Sequence, residues 1–194
     1  MKRLVTAFAA VAVLSASAAF AAFAAPDIAG RMVNHPAADQ WTLLGTGETH
    51  ELVKDTTVRG GAALQVTAAG AGANPWDIQA GVSNSKAVKK GDVILLAFWG
   101  RAVTPASATI PAVVQQSAAP YTRIGEQSLT LTPDWRLHYV TATADQDYPT
   151  GALGVSVQLA PTTQTAAQTV ALGPVFLLDF GPGYNPKFLP HKIP

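Results

Sequence analysis

Two aromatic residues stand where the chain is predicted to form loops, and their rings could stack on a sugar. Trp76 and Tyr121 each follow a proline, and loops on a rigid scaffold often carry binding residues. A sugar ring presents an apolar C–H face on which a flat aromatic ring packs at little entropic cost. We predict both as ligand contacts at a cleft rim, against the alternative of half-buried sandwich aromatics. Trp99 and Trp135 are predicted to lie in the core.

Three glutamines extend this candidate site. Gln79, Gln115 and Gln158 fall in three different predicted strands, and a neutral amide can both donate to and accept from a hydroxyl. We predict that they bind the ligand, the alternative being a solvated strand exterior. Strict alternation puts Trp76 and Gln79 on opposite faces of a strand. They can share a site only if Trp76 belongs to the entering loop or a bulge intervenes.

Three titratable side chains complete the predicted ligand contacts. Arg123 and Glu126 follow Tyr121 closely and could reach a sugar from the same loop. His138 lies on a predicted strand face with Arg136. Exposed charges are usually only solvated, so a solvated surface position stays open as the alternative for Arg123 and Glu126. A lone histidine is more often structural, so a structural role stays open for His138.

The acidic residues do not predict an enzyme. Glycoside hydrolysis needs two facing carboxylates, whereas the 12 acidic residues are scattered. No serine or acid is spaced with His138 for a catalytic triad. Asp179 lies in a very apolar strand and must be paired, hydrogen-bonded or bound to a metal. A structural calcium at Asp179 and a hydrogen-bonded carboxyl group are both open alternatives, since calcium prefers hard oxygen ligands.

The elements that must position these residues are predicted to be strands. Helical periodicity is nearly absent, and residues 153–159 alternate between apolar and small or polar side chains. Residues 93–99 are apolar on both faces, which predicts a central strand covered twice. Turn signals, including Thr132-Pro133-Asp134 and Gly173-Pro174, separate about ten short strands and favour an all-β sandwich or jelly roll. Further strands are predicted at 41–44, 48–54, 62–67, 78–83, 110–115, 127–131, 136–141, 169–172 and 175–180.

The first 24 residues predict export. Lys2 and Arg3 precede an uncharged Ala-rich run that ends in a small-x-small pattern, as in a cleavable signal peptide. Removing them leaves 11 of the 13 basic residues against 12 acidic ones, a net charge of −1. We therefore predict a secreted or periplasmic protein that has no membrane anchor after cleavage and binds no nucleic acid. There are no cysteines. One domain is predicted at 25–180, followed by an irregular Pro-rich tail at 181–194.

The order of these segments resembles the carbohydrate-binding modules of the family 4, 9 and 22 group. The likeness covers most of residues 32–180, although the acidic residue of the group's opening motif is absent from Val33–Ala37. Four segments and the closing strand carry this likeness. The four segments are Gly60–Val66, Trp76–Gln79, Val88–Ala102 and Leu129–Tyr139.

The resemblance implies a β-jelly roll that binds plant or microbial polysaccharides. We predict a non-catalytic module that recognises a neutral polysaccharide or oligosaccharide through aromatic and amide side chains. The second hypothesis is an extracellular structural or protein-interaction β-sandwich. A small hydrolase is the third.

Overall fold

The computed structural model describes residues 27–70, 72–162 and 166–192, so the predicted signal peptide lies outside the described residues. Ten strands form two five-stranded antiparallel sheets. The first sheet has the order β1-β4-β9-β6-β7, and the second has β2-β3-β10-β5-β8. The strands are β1 Thr42–Gly45, β2 Glu48–Lys54, β3 Ala62–Ala68, β4 Ile78–Ser83, β5 Asp92–Thr104, β6 Ala108–Gln116, β7 Arg123–Leu131, β8 Arg136–Thr143, β9 Leu153–Gln158 and β10 Gln168–Pro182.

This architecture confirms the predicted β-jelly roll. Successive strands mostly cross from one sheet to the other, so each sheet is assembled from distant parts of the chain. Within the described residues, no helix is long and apolar enough to span a membrane. The helical pieces are a four-residue helix, α1 (Ile28–Arg31), and three short 3₁₀ turns.

Two predicted element boundaries are wrong. Gly173-Pro174 does not separate two strands, because β10 runs through it with a register shift between Leu172 and Val175. Proline cannot donate to a sheet ladder, and an irregularity of this kind accommodates it. β7 begins at Arg123 rather than at Gln127, so Arg123 and Glu126 lie in a strand and not in a loop.

The main core fills the space between the sheets. Ile94, Leu96 and Phe98 of β5 are fully buried there, and Trp41 packs edge-on against Phe98 with ring centres 5.8 Å apart. The Trp41 Nε1 group donates to the carbonyl oxygen of Gly173 at 2.8 Å. This bond satisfies a polar group that burial would otherwise leave without a partner.

Both ends of the described chain cover the outer face of the second sheet. Leu189 is fully buried in an apolar cluster with Val93, Leu95 and Phe180, and Ile28 of α1 packs against the same cluster. The strand β5 is therefore covered on both faces, as predicted. The predicted tail is irregular apart from its 3₁₀ turn, but it is docked on the domain.

Trp99 and Trp135 lie outside the main core. They are half-buried on a small cluster with Val58, Ala63 and Ala171 of the second sheet. Their predicted core position is therefore wrong, because this sheet builds a second apolar layer on its outer side.

Candidate binding groove

The outer face of the first sheet carries a groove. Ile78 and Ala80 of β4 are buried toward the core, so Gln79 and Gly81 point outward. Gln79 pairs with Gln158 of β9 in the sheet register. Two adjoining hollows of about 360 and 440 Å³ share Gln79, Gln115 and Tyr121 as lining residues. The three predicted glutamines therefore lie in one continuous groove.

The amides of the floor have free hydrogen-bonding capacity. Ser156 Oγ donates to Gln79 Oε1 and fixes the orientation of that amide. Among the described residues, Gln79 Nε2 has no protein partner, and neither does the buried Oε1 atom of Gln116. Gln158 is only 3% exposed although it lines the groove. Gln79 Nε2 can therefore donate to a hydroxyl of a bound ligand, whereas Gln116 Oε1 and most of Gln158 are buried beneath the groove surface.

Small residues deepen the other half of the groove. A Cβ atom on Gly154 would lie 2.9 Å from Ser117 Oγ, and one on Gly81 would lie 3.0 Å from the Val155 carbonyl oxygen. Larger side chains at these positions would clash with Ser117 and with the backbone of β9. The alternation within residues 153–159 already places Gly154 and Ser156 on the face of Gln158, whereas Ser117 and the β1 residues of this half were not predicted. Besides the three shared residues, this half is lined by Gln40, Thr42, Leu44, Gly81, Val82, Ser83, Gln116, Ser117, Gly154, Val155 and Ser156.

Trp76 stands on a rigid turn at the groove. It is the middle residue of the 3₁₀ turn Pro75–Asp77 and is 47% exposed. Asn74 fixes this turn, since its backbone N–H donates to Asp77 Oδ2 at 2.9 Å. Trp76 thus belongs to the segment that enters β4, which is one of the two arrangements that let it share a site with Gln79.

Tyr121 forms the rim opposite β1 and has an unusual backbone. It is 55% exposed in the loop between β6 and β7, and its φ angle is +56°. A non-glycine residue in this left-handed region is uncommon, and such strain clusters at binding sites. The strained residue is also the exposed aromatic of the groove, which supports its predicted role.

Two substitutions of Tyr121 test whether its backbone is strained and whether its ring contacts the ligand. We expect Tyr121→Gly to be about 1 kcal/mol more stable than Tyr121→Ala, because glycine accepts a positive φ without penalty. Both variants should bind ligand equally poorly. Urea unfolding measures the first effect and affinity electrophoresis the second. If the two variants are equally stable, the backbone at Tyr121 is not strained. If both bind as tightly as the parent, the Tyr121 ring does not contact the ligand.

Arg123 reaches across the groove to Trp76. Its Nη1 atom donates to both carboxylate oxygens of Glu126 at 2.8 Å, and its guanidinium carbon lies 5.6 Å from the centre of the Trp76 ring. The strands β9 and β6 lie between β4 and β7, so these two side chains meet above the floor. We call this contact the Trp76–Arg123 strap. Arg123 lines the groove, and Glu126 pairs with it from outside the lining.

His138 does not join the other predicted residues. It lies on β8 in the second sheet, opposite Phe98 in the register and with the two ring centres 5.6 Å apart. Burial is the main cause that lowers the pKa of its imidazole. The structure therefore places His138 at the edge of the core and not in the groove.

Asp179 also lies away from the groove, beside a second carboxyl group. Its Oδ1 atom accepts from the backbone N–H of Gly181 at 2.7 Å. Burial, followed by the nearby Asp92, raises the pKa of Asp179, against the lowering effects of the Gly181 hydrogen bond and Arg31. Asp92 is itself buried, and its Oδ2 atom accepts from the Lys89 backbone N–H at 2.7 Å. Asp179 thus has the hydrogen-bond partner that a carboxyl group in an apolar strand requires.

Two carboxyl groups alone do not complete a calcium site. The described residues contain no cluster of three or more acidic or histidine side chains, whereas calcium takes six to eight oxygen ligands. Asp92 and Asp179 would hold the ion, and backbone carbonyls and water would have to supply the other ligands. Calcium therefore stays a prediction, and the hydrogen-bonded carboxyl pair stays its alternative.

The variant Asp179→Asn distinguishes these alternatives. A carboxyl group whose pKa is raised by folding stabilises the protein at low pH and loses that contribution as pH rises through the folded-state pKa. Without calcium, we expect Asp179→Asn to melt higher than the parent at pH 7, with a difference that disappears only as pH falls below the ordinary aspartate pKa of 3.8. Bound calcium would instead make the variant less stable, and chelator would lower the parent's Tm. The exposed Asp134→Asn is the matched control.

Solved structures of carbohydrate-binding modules share this fold. A family 4 module (CBM4) is 26% identical, with a TM-score of 0.56, and the match covers 73% of this chain and 95% of that one. The resemblance to the family 4, 9 and 22 group is confirmed. No protein-family model and no curated protein matches the chain.

Two further modules of this kind match along nearly their full length. The second N-terminal cellulose-binding domain of the Cellulomonas fimi β-1,4-glucanase C is 20% identical, with a TM-score of 0.57 over 77% of this chain and 94% of that domain. The CBM22-1 xylan-binding domain of Paenibacillus barcinonensis Xyn10C is 14% identical, with a TM-score of 0.53 over 78% and 92%. At identities of 14% and 20%, the structural similarity to these two modules establishes the shared fold alone.

Proposed function

We propose that this chain is a secreted or periplasmic, non-catalytic module that binds a neutral polysaccharide in the groove of the first sheet. The observation that carries the proposal is the placement of two exposed aromatic rings, Trp76 and Tyr121, over a floor of amides. The rings supply apolar faces for the C–H surfaces of sugars. The amides supply the hydrogen bonds that fix register and specificity.

The lining of the groove supports binding without hydrolysis. Among the described residues, no aspartate or glutamate lines either hollow. A hydrolase of the common type needs two carboxyl groups that flank the scissile bond. The absence of such a pair among the described lining residues supports the non-catalytic part of the proposal.

The names of the solved neighbours suggest the ligand class. They include cellulose-binding and xylan-binding domains, and both cellulose and xylan are uncharged β-linked backbones. We therefore propose a β-linked glycan of this class. The alternative of a protein-interaction sandwich would favour a flat apolar patch, whereas the floor described here is polar.

Affinity electrophoresis tests the proposal. Residues 25–194 are run through native gels that contain hydroxyethyl-cellulose, xylan or no polysaccharide. We expect weak but measurable retardation by at least one polysaccharide and no release of reducing sugar on incubation. Unretarded migration in a full panel of soluble β-glycans would contradict the proposal, and released reducing ends would contradict its non-catalytic part.

A further inference from the structure

The groove has one charged residue in its described lining, Arg123, and Glu126 pairs with it from outside the lining. Among the described lining residues of both hollows, Arg123 is the only charged side chain. Glu126 binds Arg123 but does not line either hollow. A ligand in the groove therefore meets the charge of Arg123, reduced by its 2.8 Å ion pair with Glu126, in a lining that consists mostly of amides, hydroxyls and glycines.

The guanidinium of Arg123 keeps a free edge. Both hydrogen bonds to Glu126 come from Nη1, and within the described residues Nε and Nη2 have no protein partner. The Arg123 side chain is 37% exposed and lines the groove. The Nε–H and Nη2–H groups of an arginine are parallel and match the two oxygens of a carboxylate.

We propose that the groove binds the neutral backbone of the proposed function and prefers chains on which that backbone carries carboxylate groups, one of which Arg123 binds beside Trp76. This inference rests on the proposed function and adds a specificity-determining residue to it. The backbone stacks on the aromatic rings, and a uronic acid or carboxymethyl substituent reaches the free edge of Arg123. Glu126 positions Arg123 and also competes with the ligand for its charge.

The competition with Glu126 and the exposure of Arg123 limit the size of the effect. Half-exposed ion pairs contribute little and are screened by salt. We therefore expect the parent protein to bind the acidic form of a polysaccharide about fivefold more tightly than the neutral form at low ionic strength. This preference should disappear in ~1 M salt, where the Debye length is ~3 Å.

Matched pairs of polysaccharides test the inference. The probes are glucuronoxylan against the same xylan after chemical reduction of its carboxyl groups, and carboxymethyl-cellulose against hydroxyethyl-cellulose. The readout is the ratio of the two affinities within each pair, measured for the parent, Arg123→Gln and Glu126→Gln. Arg136→Gln is the control, since it removes the same charge from an exposed position on the second sheet.

The expected ratios differ between the variants. Arg123→Gln should bring the ratio to about one, Arg136→Gln should leave it near the parent value, and Glu126→Gln should raise it because the competing carboxylate is gone. If the parent protein binds both members of each pair equally, or prefers the neutral member, this inference is overturned and the proposed function stands. Binding to no member of either pair overturns both. Equal losses of the ratio in Arg123→Gln and Arg136→Gln would show a general charge effect and also overturn it.

Discussion

Trp76→Ala is expected to bind its polysaccharide about 30-fold more weakly than the parent, a loss of ~2 kcal/mol. This is the scale found when an aromatic anchor is removed from a binding site. The ring is 47% exposed and stands on a turn whose hydrogen bonds do not use it, so the loss of stability should be small. Quantitative affinity electrophoresis measures the binding, and thermal unfolding measures the stability. Gln79→Ala should cost less, because the hydrogen bonds of its amide replace bonds to water and net only ~1 kcal/mol.

Phe188→Ala is the matched control for the loss of an exposed aromatic. Phe188 is 61% exposed on the C-terminal segment, away from the groove, and its removal should leave the affinity unchanged. If Trp76→Ala retains the parent's Tm and its full affinity, Trp76 is not a ligand contact. A large drop in Tm would instead identify it as a structural residue.

Leu189→Ala is expected to lower the free energy of unfolding by about 2–5 kcal/mol, the range for a leucine in a close-packed core. Leu189 is fully buried although it lies in the predicted irregular tail, and it seals the apolar cluster around Val93 and Leu95. The cavity left behind would be lined by rigid strands, which collapse poorly. Urea unfolding followed by tryptophan fluorescence measures the change.

The same control variant serves this experiment. Phe188→Ala changes the preceding, exposed side chain and should shift stability by less than about 0.5 kcal/mol. Folded Leu189→Ala should keep the parent's affinity, because the cluster lies on the second sheet. If Leu189→Ala is as stable as Phe188→Ala, the C-terminal segment does not seal the fold.

The sequence predicted the strands well because their side chains alternate or are apolar throughout. Residues 153–159 and 93–99 show these two patterns, and both form strands as expected. The predicted turn at Gly173-Pro174 was wrong, because this dipeptide is typical of a turn when only the local sequence is considered. The tertiary contacts of Gly173 with Trp41 and Trp99 keep the strand continuous there, and no local pattern reports such contacts.

The candidate site was predicted in part for a similar reason. Alternation within a strand places Gln158 with Ser156 and Gly154 on one face, so the amide floor was accessible from sequence. His138 shows the limit of that reasoning. Alternation gives the face of a strand but not the sheet that the strand joins, and β8 joins the second sheet. The Trp76–Arg123 strap joins the turn before β4 to β7, and these strands are not neighbours in the sheet, so the contact could be seen only in the structure.

Backbone amide mapping by nuclear magnetic resonance tests the central claim most directly. The ¹⁵N-labelled domain is titrated with cellohexaose and with xylohexaose, and the shift of each amide and tryptophan indole is recorded. The account predicts that shifts concentrate at Trp76, Gln79, Gly81, Gln115 and Gln158, with Trp99 and Trp135 on the second sheet unaffected. Saturable shifts centred on the second sheet would contradict the groove as the binding site.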